Sequence, residues 1–155
     1  MSNLIKSRER VSRRGEVFTP SWLVNEMLDK LPEDQWVDPT KTFIDPACGN
    51  GNFLVEVIRR KIESGTAPYP ALMTTYGVDI MPDNIKECRE RLIDAAYEAT
   101  GAIKEGWQTR LFERAVNQNI RLGDTLRFEL DDIFSKKPPK ELKTFREKSL
   151  ESTPP

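Results

Sequence analysis

The chain has 155 residues, of which 37% are hydrophobic and 32% are charged, and its formal net charge is −1. This length suits about one domain with a modest core. No apolar run approaches the roughly 18 residues of a membrane-spanning helix, and the first ten residues lack the features of a secretory signal. The two cysteines are far apart and histidine is absent. We therefore expect no metal site, no membrane segment, no histidine-based catalysis and a cytoplasmic location.

Charge is distributed unevenly along the chain. Residues 1–14 carry five basic side chains and one acidic side chain, and residues 136–155 carry six basic and three acidic ones. The sequence thus predicts a basic N-terminal arm over 1–14, a folded domain over 15–134 and a flexible Lys/Pro-rich tail over 135–155. Basic termini on an acidic body suit the phosphates of DNA. The alternative is that both termini are solvated and bind nothing.

Helix and strand patterns alternate along the folded region. The predicted elements, in chain order, are a helix capped by Thr19 and Pro20, a buried strand at 42–45, a helix through 53–62, a loop at 67–71, a strand at 74–79, a helix from Pro82 to Gly101, a weak helix at 105–117, a strand at 119–122 and either a fourth strand or a loop at 127–134. Strands separated by amphipathic helices indicate βαβ units. The sequence therefore predicts an α/β fold with a truncated parallel sheet of three to four strands flanked by helices.

A glycine-rich turn, Asp45-Pro46-Ala47-Cys48-Gly49-Asn50-Gly51, links the first strand to the next helix. Its small residues allow a ligand to approach the backbone closely and allow positive φ angles. The helix N-terminus that follows presents unpaired N–H groups that suit an anion. Because strand, turn and helix come in this order, the pattern favours a ligand-binding loop over a tight turn without a ligand.

Acidic residues also follow the next two strands. Asp79 ends the second strand, where an acid bonds ribose hydroxyls in Rossmann-like folds, and Ile80 beside it would pack on an adenine ring. Asp124 follows the third strand, where its carboxylate could accept a hydrogen bond from an adenine amino group. The alternatives are that Asp79 caps the helix after Pro82 and that Gly123 and Asp124 form an ordinary turn.

Four short motifs together resemble the motif series of the N6-adenine DNA methyltransferases. They are Gly-Glu-Val-Phe-Thr-Pro at 15–20, Asp-Pro-Ala-Cys-Gly-Asn-Gly-Asn-Phe-Leu at 45–54, Tyr-Gly-Val-Asp-Ile at 76–80 and Ile-Arg-Leu-Gly-Asp-Thr-Leu at 120–126. Their order is similar to that in type I and type IIG restriction–modification methylases, whose cofactor motifs precede the catalytic one. The resemblance implies a Rossmann-like domain over 15–134 that binds S-adenosylmethionine.

The resemblance also implies a role for each motif. Phe18, Thr19 and Pro20 would close over the methionine part of the cofactor. Asp79 would hold the ribose, Ile80 would contact the adenine ring, and Asp124 would bind the adenine amino group. The methionine amino and carboxylate groups would be lined by Asp45, Pro46, Ala47, Cys48, Gly49 and Gly51, with Phe53 as a further cofactor contact.

The chain departs from this family at the catalytic motif. The family carries Asn-Pro-Pro-Tyr or a close variant after its fourth strand, where oxygen atoms accept the N–H bonds of the target amine and an aromatic ring stacks on the flipped base. Here the comparable run is Lys137-Pro138-Pro139-Lys140, and lysine only donates hydrogen bonds. The family sheet has seven strands in the order 3-2-1-4-5-7-6, so the first strand here would lie at or near an open edge.

We therefore predict a cofactor-binding domain without a catalytic residue of its own, which is inactive alone or forms one half of a split methyltransferase. A protein partner or a second copy would pair with the exposed sheet edge, and DNA would contact the basic termini. The alternative is a non-catalytic methyltransferase-like protein that binds a restriction–modification or other protein through that edge. A methyltransferase that acts on small molecules or proteins is a third interpretation.

Overall fold

The structure is a computed structural model and describes residues 4–14, 16–102, 104 and 106–152. Within these ranges the chain forms an α/β fold. The strands are β1 (Phe43–Asp45), β2 (Thr75–Asp79) and β3 (Ile120–Leu122), and the helices are α1 (Arg8–Arg14), α2 (Ser21–Leu28), α3 (Asp34–Val37), α4 (Asn52–Glu63), α5 (Pro68–Met73), α6 (Pro82–Thr100), α7 (Gly106–Asn119), α8 (Leu130–Ile133) and α9 (Lys140–Glu151).

The described strands form one parallel sheet in the order β1-β2-β3. Helices α4 and α5 connect β1 to β2, and α6 and α7 connect β2 to β3, which confirms the predicted βαβ units. Strand β1 therefore lies at one edge of the sheet, as the sequence predicts. The prediction that it is buried is only partly correct, because the Ile44 side chain at this edge is 40% exposed.

One face of the sheet carries the larger core. Glycine at position 77 lets α4 approach β2 closely, since a Cβ atom there would lie 2.7 Å from Leu54 Cδ1. Burial of the apolar faces of these helices is the main source of stability for such a layer. The cluster includes Leu54, Val55, Ile58, Ala71, Leu72, Ile85, Cys88, Leu92, Ala96, Phe112, Val116 and Ile120.

The opposite face is covered by the C-terminal residues. Val78 of β2 packs there against Ile133 and Leu142, all of them fully buried. Of the two alternatives for 127–134, the fourth strand is wrong: residues 127–129 lie outside any helix or strand, and residues 130–133 form the short helix α8. Residues 140–151, which the sequence places in a flexible tail, form helix α9, and the physical reason is the burial of Leu142 against the sheet. The division into arm, domain and tail stays a prediction.

Two further local predictions are wrong. The segment predicted as a loop at 67–71 lies mostly in α5, because proline is tolerated at the first helical positions and Ala71 and Leu72 are buried. Pro20, rather than Thr19, is the residue that precedes α2, and no side chain caps this helix. None of the described helices is long and apolar enough to cross a membrane.

Candidate functional site

A cavity of about 390 Å³ lies at the carboxyl ends of the strands. Parallel α/β sheets bind ligands at this end, because the strand-to-helix loops converge there. Four separate segments form its walls. Its lining residues are Glu16, Val17, Phe18, Pro46, Ala47, Gly49, Asp79, Ile80, Gly123, Asp124, Thr125 and Leu126.

The glycine-rich turn packs tightly between its neighbours. Gly49 has a φ of +54° and Gly51 a φ of +98°, values that side-chain-bearing residues rarely adopt. A Cβ atom on Gly49 would lie 2.9 Å from Phe18 Cε1. The N–H of Cys48 donates to the carbonyl of Val78 at 2.8 Å, which ties the turn to β2. Both glycines are therefore required by backbone conformation, and Gly49 also by the close approach of Phe18.

Asp79 holds the turn and the start of α6 together. Its Oδ1 accepts the Gly49 N–H at 3.1 Å, and its Oδ2 accepts the Met81 N–H at 3.0 Å and the Asn84 Nδ2–H at 2.9 Å. The alternative that Asp79 caps α6 is wrong, because Met81 is the residue that precedes this helix and no side chain caps it. A carboxylate offers about four acceptor positions. These bonds use three, so a further donor from a ligand can still be accepted.

Acidic groups dominate the electrostatics of the cavity. Burial raises the pKa of Asp79, partly opposed by its hydrogen bonds from Asn84, Met81 and Gly49, and the negative charge of Glu16 raises it further. Burial also raises the pKa of Asp45, against the effect of its hydrogen bond from the Ala47 N–H. With Asp124 also in the lining, the cavity suits a ligand that carries positive charge and hydrogen-bond donors.

The cavity lining contains seven of the residues predicted to bind the cofactor: Phe18, Pro46, Ala47, Gly49, Asp79, Ile80 and Asp124. The other six do not line it. Thr19 accepts the Asn52 Nδ2–H through its carbonyl at 2.8 Å, and Pro20 precedes α2. Asp45 Oδ1 accepts the Ala47 N–H at 3.1 Å, so this carboxylate is bonded to the turn that it precedes.

The remaining three predicted residues belong to the core side of the turn. Cys48 is buried, and a hydrogen bond with Cys88, together with burial, raises the pKa of its thiol well above the usual range. A Cβ on Gly51 would lie 2.9 Å from Cys88 Sγ. Phe53 packs against a cluster around Val24 and Trp36. Their roles as cofactor contacts stay predictions.

The sequence analysis assigns no cofactor contact to five of the lining residues, although all five lie within its motifs. Glu16 and Val17 stand in the same short motif as Phe18, and Gly123 in the same turn as Asp124, so proximity in sequence could have found them. Thr125 donates to the Pro46 carbonyl at 3.2 Å across the cavity, a contact that sequence alone cannot predict. Leu126 is 96% exposed at the rim. Among the described residues, no group of three metal-ligating side chains occurs.

Comparison with known proteins places the chain among DNA methylases. The family model for N-6 DNA Methylase matches residues 4–102. The chain is 35% identical over 94 residues to the type II methyltransferase M.VspI of Vibrio sp. strain 343, which covers 61% of this chain and 20% of that protein.

A second relative gives the same assignment. The chain is 37% identical over 68 residues to the adenine-specific methyltransferase PglX of Streptomyces coelicolor, which covers 37% of this chain and 6% of that protein. The chain thus spans a fifth or less of the length of these relatives, and no solved structure matches it significantly. Because the family model covers well over half of the chain, the protein belongs to the N-6 DNA methylase family.

Proposed function

We propose that the chain is the S-adenosylmethionine-binding part of a DNA adenine-N6 methyltransferase with a Rossmann-like fold. The observation that carries this proposal is the cavity at the strand carboxyl ends, which brings Phe18, the glycine-rich turn, Asp79 and Asp124 together. Helix α4 begins directly after this turn, at Gly51, and has no side-chain cap, so a carboxylate bound at the turn would lie near its N-terminus. Acidic walls and an uncapped helix start together fit the ammonium, sulfonium and carboxylate groups of this cofactor.

In this proposal the cofactor lies across the ends of the three strands. The turn and the start of α4 would bind the methionine carboxylate, and Asp45 the ammonium. Asp79 would accept a ribose hydroxyl, since one acceptor position remains on its carboxylate. Ile80 would contact the adenine ring and Asp124 its amino group. Bound cofactor supplies an electrophilic methyl group, and the protein orients it.

We further propose that the chain does not methylate adenine alone. Its Pro138-Pro139 run lies at the start of α9, where Pro139 precedes the helix, and no Asn-Pro-Pro motif occurs in the sequence. Phe134 makes an edge-to-face contact with Tyr76 at 5.5 Å between ring centroids, so its ring packs within the fold. The acceptor atoms and the stacking ring must then come from a further part of the enzyme, in the same or another chain.

We propose that DNA contacts the lysines near the C-terminus. In the N-terminal arm, Lys6 and Arg10 are not proposed to contact DNA. Lys6 and Arg10 pair with acidic residues of α6. In the described part of the chain, five lysines near the C-terminus are exposed and have no ion pair, so they can contact phosphates. They are Lys136, Lys137, Lys140, Lys143 and Lys148. Restriction–modification is the biological setting proposed for this activity.

Calorimetric titration of S-adenosylmethionine, followed by S-adenosylhomocysteine, tests the proposed function. We expect a micromolar dissociation constant for S-adenosylmethionine, about −8 kcal/mol. Binding of the homocysteine analogue should be weaker, because it lacks the sulfonium charge that the acidic walls favour. No heat and no thermal shift at millimolar ligand would contradict the proposal.

Two substitutions locate the ligand. Asp79→Asn should weaken binding at least tenfold, because a neutral amide accepts ribose hydroxyls poorly and disturbs the Gly49 bond. Asp124→Asn keeps an oxygen for the Leu126 N–H, which Asp124 Oδ1 accepts at 3.0 Å, so its effect should be confined to adenine binding. The control is Asp131→Asn, an exposed acid on α8 outside the cavity. Equal affinity in all three variants would place the ligand elsewhere.

The exposed strand β1 supports a second candidate function. Its Ile44 side chain is 40% exposed at the edge of the sheet, and an edge strand can pair with another protein. A non-catalytic methyltransferase-like protein would use this edge to bind a restriction–modification or other protein. The titration separates the two candidates, because this second function does not require S-adenosylmethionine to bind.

A further inference from the structure

We propose that residues 4–14 and Glu16 position the cofactor cavity, with Arg10 acting through Glu16 and Asn84 on Asp79. Arg10 does not line the cavity, so it is a positioning residue. This inference rests on the proposed cofactor function and identifies what holds that site in place. Three observations carry it: the docking of the N-terminal segment on α6, an unbroken series of hydrogen bonds to the glycine-rich turn, and the balance of buried charge.

The N-terminal segment docks on the start of α6 through ion pairs. Lys6 Nζ lies 2.8 Å from Asp83 Oδ2 and 2.9 Å from Glu87 Oε2. Arg10 Nη1 lies 2.6 Å from the same Asp83 oxygen. Farther along, the Phe18 N–H donates to the Leu4 carbonyl at 2.7 Å. The segment is therefore attached both to α6 and to Phe18, which lines the cavity.

A continuous series of hydrogen bonds leads from Arg10 to the glycine-rich turn. Arg10 Nη2 donates to Glu16 Oε2 at 2.8 Å, and Asn84 Nδ2 donates to that same oxygen at 2.8 Å. Asn84 Nδ2 also donates to Asp79 Oδ2 at 2.9 Å, and Asp79 accepts the Gly49 N–H. Because Asn84 is fully buried, water cannot replace a bond lost there.

Arg10 also balances charge beside the cavity. Its guanidinium contacts two carboxylates, Glu16 and Asp83, and both the Arg10 and Glu16 side chains are largely buried. Burial raises the pKa of Asp83, but hydrogen bonds from Arg10 and Lys6 lower it to about 2. Removal of Arg10 would leave the Glu16 charge uncompensated next to Asp79. An unpaired buried charge is strongly unfavourable, and it would act on Asp79 through Asn84, which bonds both carboxylates.

The other charges around Asp79 do not compensate for this loss. Asp45 lies at the end of β1, Asp124 lines the cavity, and the Cys48 thiol is beneath the turn. Each of these groups is neutral or negative, and Lys6, the other cation of this segment with ion pairs, bonds Asp83 and Glu87 and not Glu16. In the described structure, Arg10 is therefore the cation that Glu16 and, through it, Asp79 depend on.

Arg8 provides a matched control on the same helix. It is exposed, and no hydrogen bond or ion pair connects it to any other described residue. Arg8→Met and Arg10→Met remove the same charge and nearly the same side chain from α1. Any difference between the two variants therefore reports the position of Arg10 and not the net charge of the arm.

The first experiment measures the dissociation constant for S-adenosylmethionine by calorimetry. Arg10→Met should weaken binding about tenfold or more, because the loss of a buried ion-pair partner typically costs several kcal/mol. Arg8→Met should change it less than about twofold. The double variant R10M/E16Q removes the uncompensated charge and should recover part of the lost affinity. Equal affinity of R10M and R8M, or no recovery in the double variant, would overturn the inference.

The pH profile of binding distinguishes positioning from a general loss of stability. The parent should bind more weakly as acidification protonates Asp79, whose pKa is already raised by burial. In R10M the free Glu16 charge should raise the pKa of Asp79 further, so affinity should begin to fall at a higher pH than in the parent. Superimposable profiles would show that Arg10 does not act on Asp79.

A measurement without ligand separates this inference from the proposed function. Amide hydrogen exchange of residues 47–51 should be faster in R10M than in R8M, because Asp79 no longer holds the Gly49 N–H firmly. If exchange depends on Arg10 but the parent does not bind S-adenosylmethionine, the proposed function fails and the coupling stands. If the parent binds the cofactor and exchange is the same in both variants, the coupling fails and the proposed function stands.

Discussion

The two edge strands of the sheet differ in whether their outward-facing backbone groups are hydrogen-bonded. Strand β3 has two carbonyls that face away from β2, and arginines bind both: Arg89 Nε donates to the Ile120 carbonyl at 3.0 Å, and Arg146 Nε donates to the Leu122 carbonyl at 2.8 Å. Strand β1 has one residue, Ile44, whose N–H and C=O face away from β2 by the alternation of the ladder. No described residue bonds these two groups.

This difference indicates which edge can be extended. On either side of Ile44, the Thr42 carbonyl accepts the Gln35 Nε2–H at 3.1 Å and the Pro46 carbonyl accepts the Thr125 hydroxyl at 3.2 Å. Along the β1 edge, the backbone groups of Ile44 are thus unbonded, whereas the carbonyls on either side of it are bonded by side chains. Unpaired edge groups favour the addition of a strand, whereas capped ones oppose it. In the described structure, β1 is therefore the edge at which a strand can be added, and β3 is the edge whose outward carbonyls are already bonded.

The largest effect on stability is expected at the closed edge. Arg89→Met or Arg146→Met should each lower the free energy of unfolding by about 1–3 kcal/mol, because buried carbonyls of β3 lose their donors. Urea unfolding measures this loss. The control is Arg121→Met, whose Nε donates only to the Gln118 carbonyl at an exposed position, so its cost should be smaller. A cost for R121M equal to that for R89M would mean that the edge carbonyls are not what these arginines stabilise.

An intermediate effect is expected at the amino ends of β1 and β2. Lys61 is buried, and its Nζ bonds the Lys41 carbonyl at 2.6 Å and Thr74 Oγ1 at 2.7 Å, while burial lowers its pKa to about 8. Lys61→Met should cost about 1 kcal/mol at pH 7, since the lost hydrogen bonds are partly offset by removal of a buried charge. Urea unfolding of both proteins measures this difference.

The pH dependence of that difference has a definite sign. The folded state releases the Lys61 proton near pH 8, whereas the unfolded chain keeps it until near 10.5. The unfolded state therefore binds more protons in this window, and the contribution of Lys61 to stability rises with pH. The stability advantage of the parent over K61M should accordingly be larger at pH 9 than at pH 7. A constant difference would show that Lys61 has an ordinary pKa.

The smallest effect on stability is expected at the open edge. Ile44→Lys should change the free energy of unfolding by no more than about 0.5 kcal/mol, because the side chain is partly solvated and packs little. The same change should abolish strand addition, since lysine on an edge opposes pairing. Sedimentation at increasing concentration should show self-association of the parent and a monomeric variant. A parent that stays monomeric throughout would exclude a second copy as the strand that pairs with β1.

Local sequence patterns predict those elements whose conformation depends mainly on residues that are close in the sequence. The sequence predicts the three strands, helices α4, α6 and α7 and the glycine-rich turn, because apolar periodicity and positive-φ glycines act over a few residues. The family assignment likewise came from short motifs and is confirmed. Residues 127–134 and 140–151 were misjudged, because their conformation depends on the burial of Ile133 and Leu142 against β2.

Only the tertiary structure decided which groups meet at the site. Asn84 bonds Glu16, 68 positions earlier in the chain, and Arg10 pairs with Asp83, 73 positions later. No spacing in the sequence indicates such pairs, since they form only when the N-terminal segment lies on α6. The sequence by itself thus determined the glycine-rich turn and the acids at the strand ends. The fold decided that Arg10 balances their charge and that β1, not β3, is left open, because both depend on contacts between distant segments.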